Sequence, residues 1–193
     1  MAHSDPDLAL VEATQAGDNH AFDVLMERHQ DHVFRFICRY VANETDAREL
    51  AQDAFVRAYQ NISRFRPGAL FSTWLFQITL NLCRDRLRSK AHRQASRTDS
   101  LSAGSEEPDT KGIPELPSPV ADPASLAERR ERMETVRQAI HELTDDLKAP
   151  FVLTVLEGLS HEDAGARLGL TAKAVEGRVH RARKSLANKL PRE

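Results

Sequence analysis

The chain of 193 residues has only two cysteines, one tryptophan and no long hydrophobic run. Cys38 and Cys83 lie in helical patterns without CxxC or metal-ligand spacing, which predicts plain buried or half-buried thiols rather than a disulfide framework. No segment approaches the roughly 18 consecutive apolar residues that a membrane span needs. The first ten residues are acidic, unlike the basic and then apolar start of a secretory signal. We therefore expect a cytoplasmic protein with no membrane insertion of its own.

Motifs of catalysis are also missing from the sequence. There is no glycine-rich phosphate loop, nucleophile elbow or paired-carboxylate motif. His29 and His32 are neighbours on one predicted helix, but no suitably spaced cysteine or acidic partner follows, which favours structural or surface histidines over a zinc site. These absences predict a non-enzymatic protein with no catalytic residues, no metal site and no cofactor.

The net charge of −2 conceals a strong segregation of charge along the chain. Counting Lys and Arg against Asp and Glu, residues 76–97 carry +5, residues 98–127 carry −5 and residues 171–193 carry +5. A single basic helix end is usually just a solvated surface, but two basic blocks separated by an acidic one are hard to explain in that way. The pattern indicates two separate surfaces for an anionic partner such as nucleic acid.

Helical periodicity dominates the first half of the chain. Apolar residues recur every three or four positions over residues 20–41, which predicts a long amphipathic helix. Thr45 is the expected N-cap of a second helix with an unbroken apolar stripe, and Ser72 that of a third, which carries the first basic block. With a short acidic helix near residues 7–16, these helices form a first all-helical domain.

An aromatic-rich stretch lies beside the first basic block. It contains Phe65, Phe71, Trp74 and Phe76. Such rings could stack on the bases of single-stranded DNA while cations follow the backbone. They could equally be core residues, which is the simpler interpretation of the rings taken alone. The sequence leaves both interpretations open.

Apolar periodicity disappears from about residue 91 to residue 121, where Ser, Pro, Gly, Asp and Glu dominate. Four prolines in this stretch preclude a continuous helix, so we expect a flexible acidic linker. Asp122 followed by Pro123 is typical of an N-cap and a first-turn proline. A second helical domain therefore begins at about residue 122, with an expected inward stripe of Leu126, Met133, Val136, Ile140 and Leu143.

The second domain ends in the most specific local pattern of the chain. Ser160 with Asp163 resembles a capping box, Gly169 can end that helix in a left-handed turn, and Thr171 can cap the next one. On this last helix the inward positions are expected to be Val175, Val179, Ala182 and Leu186. The pattern predicts a helix-turn-helix with a basic recognition helix, against the alternative of an ordinary helical hairpin with a solvated cationic surface.

Two long segments of the chain resemble the extracytoplasmic-function sigma factors, which keep only regions two and four of the larger sigma factors. Asp46 to Arg88 (DARELAQDAFVRAYQNISRFRPGALFSTWLFQITLNLCRDRLR) looks like region two. Leu159 to Leu186 (LSHEDAGARLGLTAKAVEGRVHRARKSL) looks like region four. The resemblance implies an all-α protein of two small helical domains. Region two would span residues 1–90, the flexible acidic linker 91–121, and region four 122–193.

The resemblance also implies partners and site residues. The partners are core RNA polymerase, contacted at the beta-prime clamp helices and the beta flap, promoter DNA, and an inhibitory anti-sigma factor. The polymerase-binding residues are Arg48, Gln52, Asp53 and Arg57. The loop from residue 61 to 70 would capture a flipped base, and the residues at the melted minus-ten DNA are Phe65, Trp74, Asn81, Arg84 and Arg88. Those at the minus-thirty-five element are Lys173, Glu176, Gly177, Arg178, His180, Arg181 and Lys184.

Two positions depart from the family pattern. Glu176 stands where the family more often has a basic or small polar residue. The promoter sequence that family members recognise therefore cannot be assigned to this chain. Pro150 falls in a helix that usually runs unbroken, so we expect that helix to begin late. Three other functions remain as alternatives. An independent helix-turn-helix regulator would need a sensing or dimerisation segment, and none is visible, while a sigma-like decoy would need a receiver domain, for which this length leaves no room. The third alternative is an enzyme.

Overall fold

The computed structural model describes residues 5–41, 43–98 and 123–190. All regular structure in these ranges is helical, which confirms the all-α class expected from the sequence. Within them, no helix combines the length and the apolar character that crossing a bilayer requires.

The first unit is a bundle of four helices whose apolar stripes meet in one core. Tyr40, Phe71 and Leu75 are almost fully buried there, with at most 1% of each residue exposed. A single 3-10 turn, Ile62–Arg64, follows the third helix. The four helices are α1 (Leu8–Gln15), α2 (Asn19–Val41), α3 (Glu44–Asn61) and α4 (Phe71–Thr98).

The starts of α3 and α4 differ from the expected ones. Asn43, not Thr45, caps α3, and its side-chain oxygen accepts a backbone N–H of the first turn at 2.8 Å. Asn is as good a cap as Thr or better, and it stands where the backbone is still extended. Helix α4 begins at Phe71, one residue before Ser72, and the Phe71 N–H donates to the Asp5 carboxylate at 2.8 Å. A distant carboxylate, invisible to local periodicity, satisfies this first-turn donor.

Helix α4 also continues to Thr98, through residues where the flexible linker was expected to begin. Residues 91–98 contain neither proline nor glycine, and Ala, Arg and Gln are good helix formers. Loss of apolar periodicity was therefore a poor marker of the helix end, since an exposed helix needs no apolar stripe. The rest of the expected linker and Asp122, the expected N-cap, lie outside the described residues.

The second unit contains four further helices and a π-helical segment. Helix α5 begins with Pro123, as expected for a first-turn proline. In its expected inward stripe, Ile140 and Leu143 are buried, whereas Met133 is 55% exposed. The elements are α5 (Pro123–His141), α6 (Asp145–Phe151), the π-helical segment (Val152–Leu156), α7 (His161–Leu168) and α8 (Ala172–Lys189).

The expectation that Pro150 delays the helix before the helix-turn-helix is wrong. Helix α6 begins at Asp145, and Pro150 lies inside it and is buried. A proline inside a helix lacks the N–H that would bond the carbonyl four residues earlier. The wider π-helical segment follows directly, and there the Thr154 hydroxyl donates to the Pro150 carbonyl at 2.8 Å. The backbone accommodates the proline by changing its winding rather than by starting later.

The two units pack against each other, and their buried side chains form one contiguous core. Helix α2 contacts the π-helical segment, and α4 contacts α7. Both cysteines are free thiols, as expected. Burial raises the pKa of Cys38 to about 11 and that of Cys83 to about 12, so neither forms a thiolate readily near neutral pH.

Candidate nucleic-acid and partner interfaces

The turn between α7 and α8 has the geometry that the sequence predicted. The Ser160 hydroxyl accepts the Asp163 N–H at 3.0 Å and donates to the Asp163 carboxylate at 2.6 Å. Gly169 ends α7 in the left-handed region with φ 67°. Thr171 caps α8 by accepting the Ala174 N–H at 3.2 Å. These contacts confirm the helix-turn-helix. Its second helix, α8, leaves one side exposed to solvent.

Sequence reasoning missed Gly165, a residue of α7 that packs against this turn. A Cβ atom on Gly165 would lie 2.6 Å from the carbonyl oxygen of Leu170, closer than side chains come to backbone oxygens. Only glycine lets α7 approach the turn this closely. A glycine in the interior of the short, otherwise helical stretch His161–Leu168 was the available signal.

The outer surface of α8 carries the expected minus-thirty-five residues. Val175, Val179, Ala182 and Leu186 are buried, as predicted, and they orient the helix. Arg178 is half-buried, and the remaining candidates are all exposed: Lys173, Glu176, Gly177, His180, Arg181 and Lys184. Except for Glu176, the ionic members of this set are basic, which suits an anionic groove.

A groove of about 790 Å³ runs between α2 and α3. Arg48 and Gln52 line it, and Arg48 also pairs with Glu44 at 2.6 Å. Its floor and walls are largely apolar, and Val56 and Tyr59 remain 46% and 43% exposed. Sequence reasoning missed these two side chains because it considered only polar residues on the outward side of α3. Exposed apolar side chains around a groove indicate a surface that a partner covers.

Asp53 and Arg57 are exposed on α3, but they do not line this groove. They follow Glu49 at four-residue steps, and Glu49 accepts Arg86 of α4 at 3.1 Å. The four expected polymerase-binding residues therefore divide into two pairs. One pair borders the groove, and the other lies on the α4 side of the same helix.

The aromatic cluster is mainly a core cluster, which corrects the expectation for Phe65. Phe65 is only 3% exposed, and its ring packs edge-on against Phe71 and Trp74, with centroids 6.1 and 5.7 Å away. An enclosed ring cannot stack on a base. Trp74 is half-buried, so one part of it reaches the surface.

The remaining minus-ten candidates lie along α4. Asn81 and Arg88 are exposed, and Arg84 is half-buried beside the Tyr40 hydroxyl. Positions 74, 77, 81, 84 and 88 are separated by three or four residues and so form one stripe of the helix. The family resemblance assigns four of these positions, Trp74, Asn81, Arg84 and Arg88, to melted DNA, and we call the stripe that they form with Gln77 the α4 stripe.

Part of the first basic block has a structural role instead. Arg86 and Lys90 bond the Asp46 carboxylate at 2.6 and 2.5 Å and so hold α3 against α4. Asp46 is 13% exposed as a side chain, so both cations are committed to a nearly enclosed partner. The charge count alone therefore overstates the cations available to DNA.

The loop from residue 61 to 70 is supported from α1. The Gln15 side-chain amide donates to the Ile62 carbonyl at 2.7 Å and to the Phe65 carbonyl at 3.3 Å. His29 bonds the buried Asp7 carboxylate at 2.7 Å, and its ring lies tilted 5.6 Å from that of Phe71, so it has a structural role. Local patterns gave no signal for these contacts, because they join segments far apart in sequence.

Comparison with known proteins agrees with this geometry. The Sigma-70 region 2 family matches residues 25–93, and the Sigma-70, region 4 family matches residues 133–186. The ECF RNA polymerase sigma-E factor of Haemophilus influenzae is 34% identical over 191 residues, which cover 98% of each chain. The RNA polymerase sigma-H factor of Pseudomonas aeruginosa is 32% identical over 96% of this chain and 94% of its own.

A solved structure resembles both units together. CnrH, in its complex with the cytosolic domain of CnrY, matches 95% of this chain and 96% of its own with a TM-score of 0.64 and 29% identity. The similarity therefore extends over both units of the chain. The chain belongs to the extracytoplasmic-function family of RNA polymerase sigma factors, which are transcription initiation factors.

Proposed function

We propose that this sigma factor acts in the cytoplasm, where it binds core RNA polymerase and directs it to a specific set of promoters under the control of an anti-sigma factor. The observation that carries the proposal is the pair of outward surfaces, on α4 and α8, within a family of initiation factors. Region two occupies the first unit and region four the second, with α4 reaching to Thr98. The chain uses no catalytic residue or cofactor of its own.

The polymerase-binding surface is the exposed side of α3. Arg48 and Gln52 border an apolar groove, and Asp53 and Arg57 offer charges one turn apart beside it. An amphipathic helix of the partner suits such a groove. The apolar stripe of that helix would pack against the floor of the groove, and its charged residues would pair with the charged residues at the rim. The beta-prime clamp helices are the proposed occupant, and region four meets the beta flap.

The α4 stripe binds the melted minus-ten element. Trp74 offers an aromatic edge, Asn81 an amide that pairs with base edges, and Arg84 and Arg88 cations for the phosphates. The loop at residues 61–70, supported by Gln15, holds a flipped base. Flipping costs a few kcal/mol, which a preformed loop offsets better than a mobile one.

The outer surface of α8 reads the minus-thirty-five element in the major groove. Glu176, Gly177, His180 and Arg181 are exposed on α8, and we assign them to base edges. Lys173, Arg178 and Lys184 lie where they reach phosphates. Glu176 can accept a hydrogen bond from cytosine.

The anti-sigma factor is proposed by analogy with a similar protein that is known in complex with a protein partner. CnrH binds the cytosolic domain of CnrY. The groove between α2 and α3, with Val56 and Tyr59 exposed, offers a comparable partner an apolar surface. An inhibitor that covers this groove would exclude polymerase from the same place.

Reconstitution with purified core polymerase tests the function. We expect the full chain to bind the core tightly and to direct transcription from a promoter that the core alone ignores. The free chain should bind the same duplex promoter weakly at physiological salt, because Arg86 and Lys90 pair with Asp46 and acidic segments oppose the remaining cations. Tight, specific duplex binding without polymerase would instead identify an independent regulator.

A further inference from the structure

Helix α8 contains one acidic residue in an otherwise basic sequence. Among its 18 residues six are Lys or Arg, and Glu176 is the only Asp or Glu. The side chain is exposed, and within the part of the chain that the structure describes no cation or hydrogen-bond donor holds its carboxylate. Lys173, three residues earlier, and His180, four residues later, are its neighbours along the helix, yet neither bonds it. Glu176 therefore adds no ion pair to the fold.

The charge of Glu176 also opposes general affinity for DNA. A protein surface that meets phosphates gains from Lys and Arg, whereas the same phosphates repel a carboxylate. A carboxylate gains from DNA only where a hydrogen-bond donor meets it, and in the major groove such donors belong to the bases. An acidic side chain on this helix is therefore favourable only at a base edge.

The next residue, Gly177, is also unfavourable for the isolated helix. Glycine in a helix interior is less stable than alanine, because it loses more backbone freedom on folding. The fold gives no reason for glycine here. Gly177 is exposed within α8, it is not one of the glycines with positive φ, and an added Cβ would meet nothing within 4 Å. The missing side chain leaves open space on the outer surface, directly beside Glu176.

Two successive residues thus depart from what the stability of α8 favours, and both lie on the surface proposed to read DNA. Such departures are expected at functional positions. The open space at Gly177 lets the backbone of α8 come closer to a ligand than any side chain would permit. A recognition helix that lies deeper in the major groove brings the Glu176 carboxylate toward the base edges and away from the phosphates.

The chemistry of a carboxylate then selects the base. An ionised carboxylate accepts hydrogen bonds and donates none. In the major groove guanine presents two acceptors, N7 and O6, and thymine presents the acceptor O4 with a methyl group, so neither can bond it. Adenine carries the acceptor N7 beside its N6 amino group, whereas cytosine presents its N4 amino group with no acceptor of its own. Cytosine is therefore the base that fits Glu176.

We infer that Glu176 and Gly177 together determine the class of promoter that this sigma factor accepts, namely promoters with cytosine at one fixed position of the minus-thirty-five element. Gly177 admits the close approach, and Glu176 accepts a hydrogen bond from the cytosine N4 amino group. Promoters with guanine or thymine at that position are rejected. The inference rests on the proposed function of the α8 surface and adds to it a required base and two excluded ones.

A promoter library randomised over the minus-thirty-five element tests the inference. It is transcribed by holoenzyme reconstituted from core polymerase and the full chain, and the transcripts are identified by sequencing. The unchanged chain should prefer cytosine at one position about tenfold over guanine or thymine. Glu176→Gln should move this preference to adenine, whose N6 and N7 pair with an amide, and Glu176→Arg should move it to guanine. Preferences at the other positions should stay as they were.

Glu131→Gln provides the matched control, because it removes an exposed carboxylate from α5 and leaves α8 intact. It should not change the selected base. Gly177→Leu fills the open space and should reduce transcription from the preferred promoter about tenfold, the size of one lost base contact. Leucine favours a helix more than glycine does, so this loss should occur in a chain that is at least as stable. Thermal unfolding checks that every variant is folded.

Two results would overturn the inference. One is an unchanged base preference in the folded Glu176→Gln and Glu176→Arg variants. The other is a uniform gain on every promoter in both variants, which would mean that Glu176 only repels phosphates. Full transcription by Gly177→Leu would overturn the role of Gly177. Failure of the proposed function would appear separately, as a holoenzyme with the unchanged chain that initiates from no member of the library.

Discussion

Gly165 of α7 and Leu170, in the turn before α8, approach so closely that a Cβ on Gly165 would lie 2.6 Å from the Leu170 carbonyl oxygen. The neighbouring atom is backbone, so it cannot rotate away as a flexible side chain would. This single approach sets how α7 is placed against the turn, and thereby how α8 is presented to DNA.

Gly165→Ala should therefore lower the free energy of unfolding by about 1–3 kcal/mol, since the turn must shift to admit a methyl group. The matched control is Gly177→Ala, where an added Cβ meets nothing within 4 Å. That substitution should stabilise α8 by about 0.5–1 kcal/mol, because exposed helix interiors favour Ala over Gly. Urea unfolding measures both, and equal stabilities in the two variants would contradict the role of Gly165.

The two kinds of contact proposed for α8 should fail differently. Arg181→Ala should cost about 1–3 kcal/mol at particular minus-thirty-five positions and relax the preference there, because a base contact is lost. Lys184→Ala should weaken all promoters alike and reduce the salt dependence, because only a phosphate contact is lost. Transcription from a promoter library at several salt concentrations separates the two. A uniform shift with both variants would remove Arg181 from base reading.

The two sides of α3 can be compared in their affinity for polymerase. Asp53→Arg with Arg57→Glu reverses the charges beside the groove, and Arg48→Glu with Gln52→Glu changes its rim. All four side chains are exposed, so both variants should keep the fold. We expect the variant with Asp53→Arg and Arg57→Glu to lose binding to core polymerase in a titration with the labelled enzyme. Loss of binding only in the rim variant would place the interface on the groove alone.

Acid should weaken the fold through His141. Burial, then the nearby charges of Lys148 and Lys90, lower the pKa of this histidine below its ordinary value. The unfolded chain takes up the proton at a higher pH than the folded chain does, so stability falls as the pH drops through the ordinary histidine value of about 6.5.

The measurement is the unfolding free energy between about pH 7.5 and about pH 5.5, a window above the titration of ordinary carboxylates. His141→Gln should remove the part of the slope that this group causes. An identical slope in the variant would assign the acid sensitivity to other groups.

Phe65 should behave as a core residue. Phe65→Ala should lower the free energy of unfolding by about 3–5 kcal/mol, as large-to-small changes at buried aromatic positions do. Arg88→Ala, at an exposed position of the α4 stripe, should leave stability nearly unchanged while weakening the binding of single-stranded DNA. Thermal unfolding of both variants checks this. An unaffected melting temperature in Phe65→Ala would contradict the core role of this ring and reopen its assignment to DNA.

Sequence alone predicted what depends on local spacing. The capping box at Ser160, the left-handed Gly169 and the buried stripe of α8 each follow from residues within one or two turns of each other. The family resemblance was visible for the same reason, since the motifs that carry it are contiguous, and both the Sigma-70 region 2 and the Sigma-70, region 4 families match the chain.

Contacts between distant segments were not predictable in this way. Phe65 was assigned to DNA because nothing local shows that Phe71 and Trp74 enclose it. The hydrogen bond from the Gln77 amide to the Arg167 carbonyl of α7 joins residues ninety positions apart and depends on how two units dock. Local periodicity describes which side of a helix is apolar, but it does not say which of the polar sides another part of the chain will cover.

The hydrogen bonds of the Gln15 amide show that residues before the family match belong to the folded first unit. The family match starts at residue 25, yet the loop proposed to hold a base is tied to a helix that ends ten residues earlier. Asp5 supplies the acceptor for the start of α4 from still further upstream. A fragment cut at the boundary of the family match would keep its sequence signature but lose the hydrogen bonds from Gln15 to this loop, so the segment that defines the family is shorter than the segment that holds the loop in place.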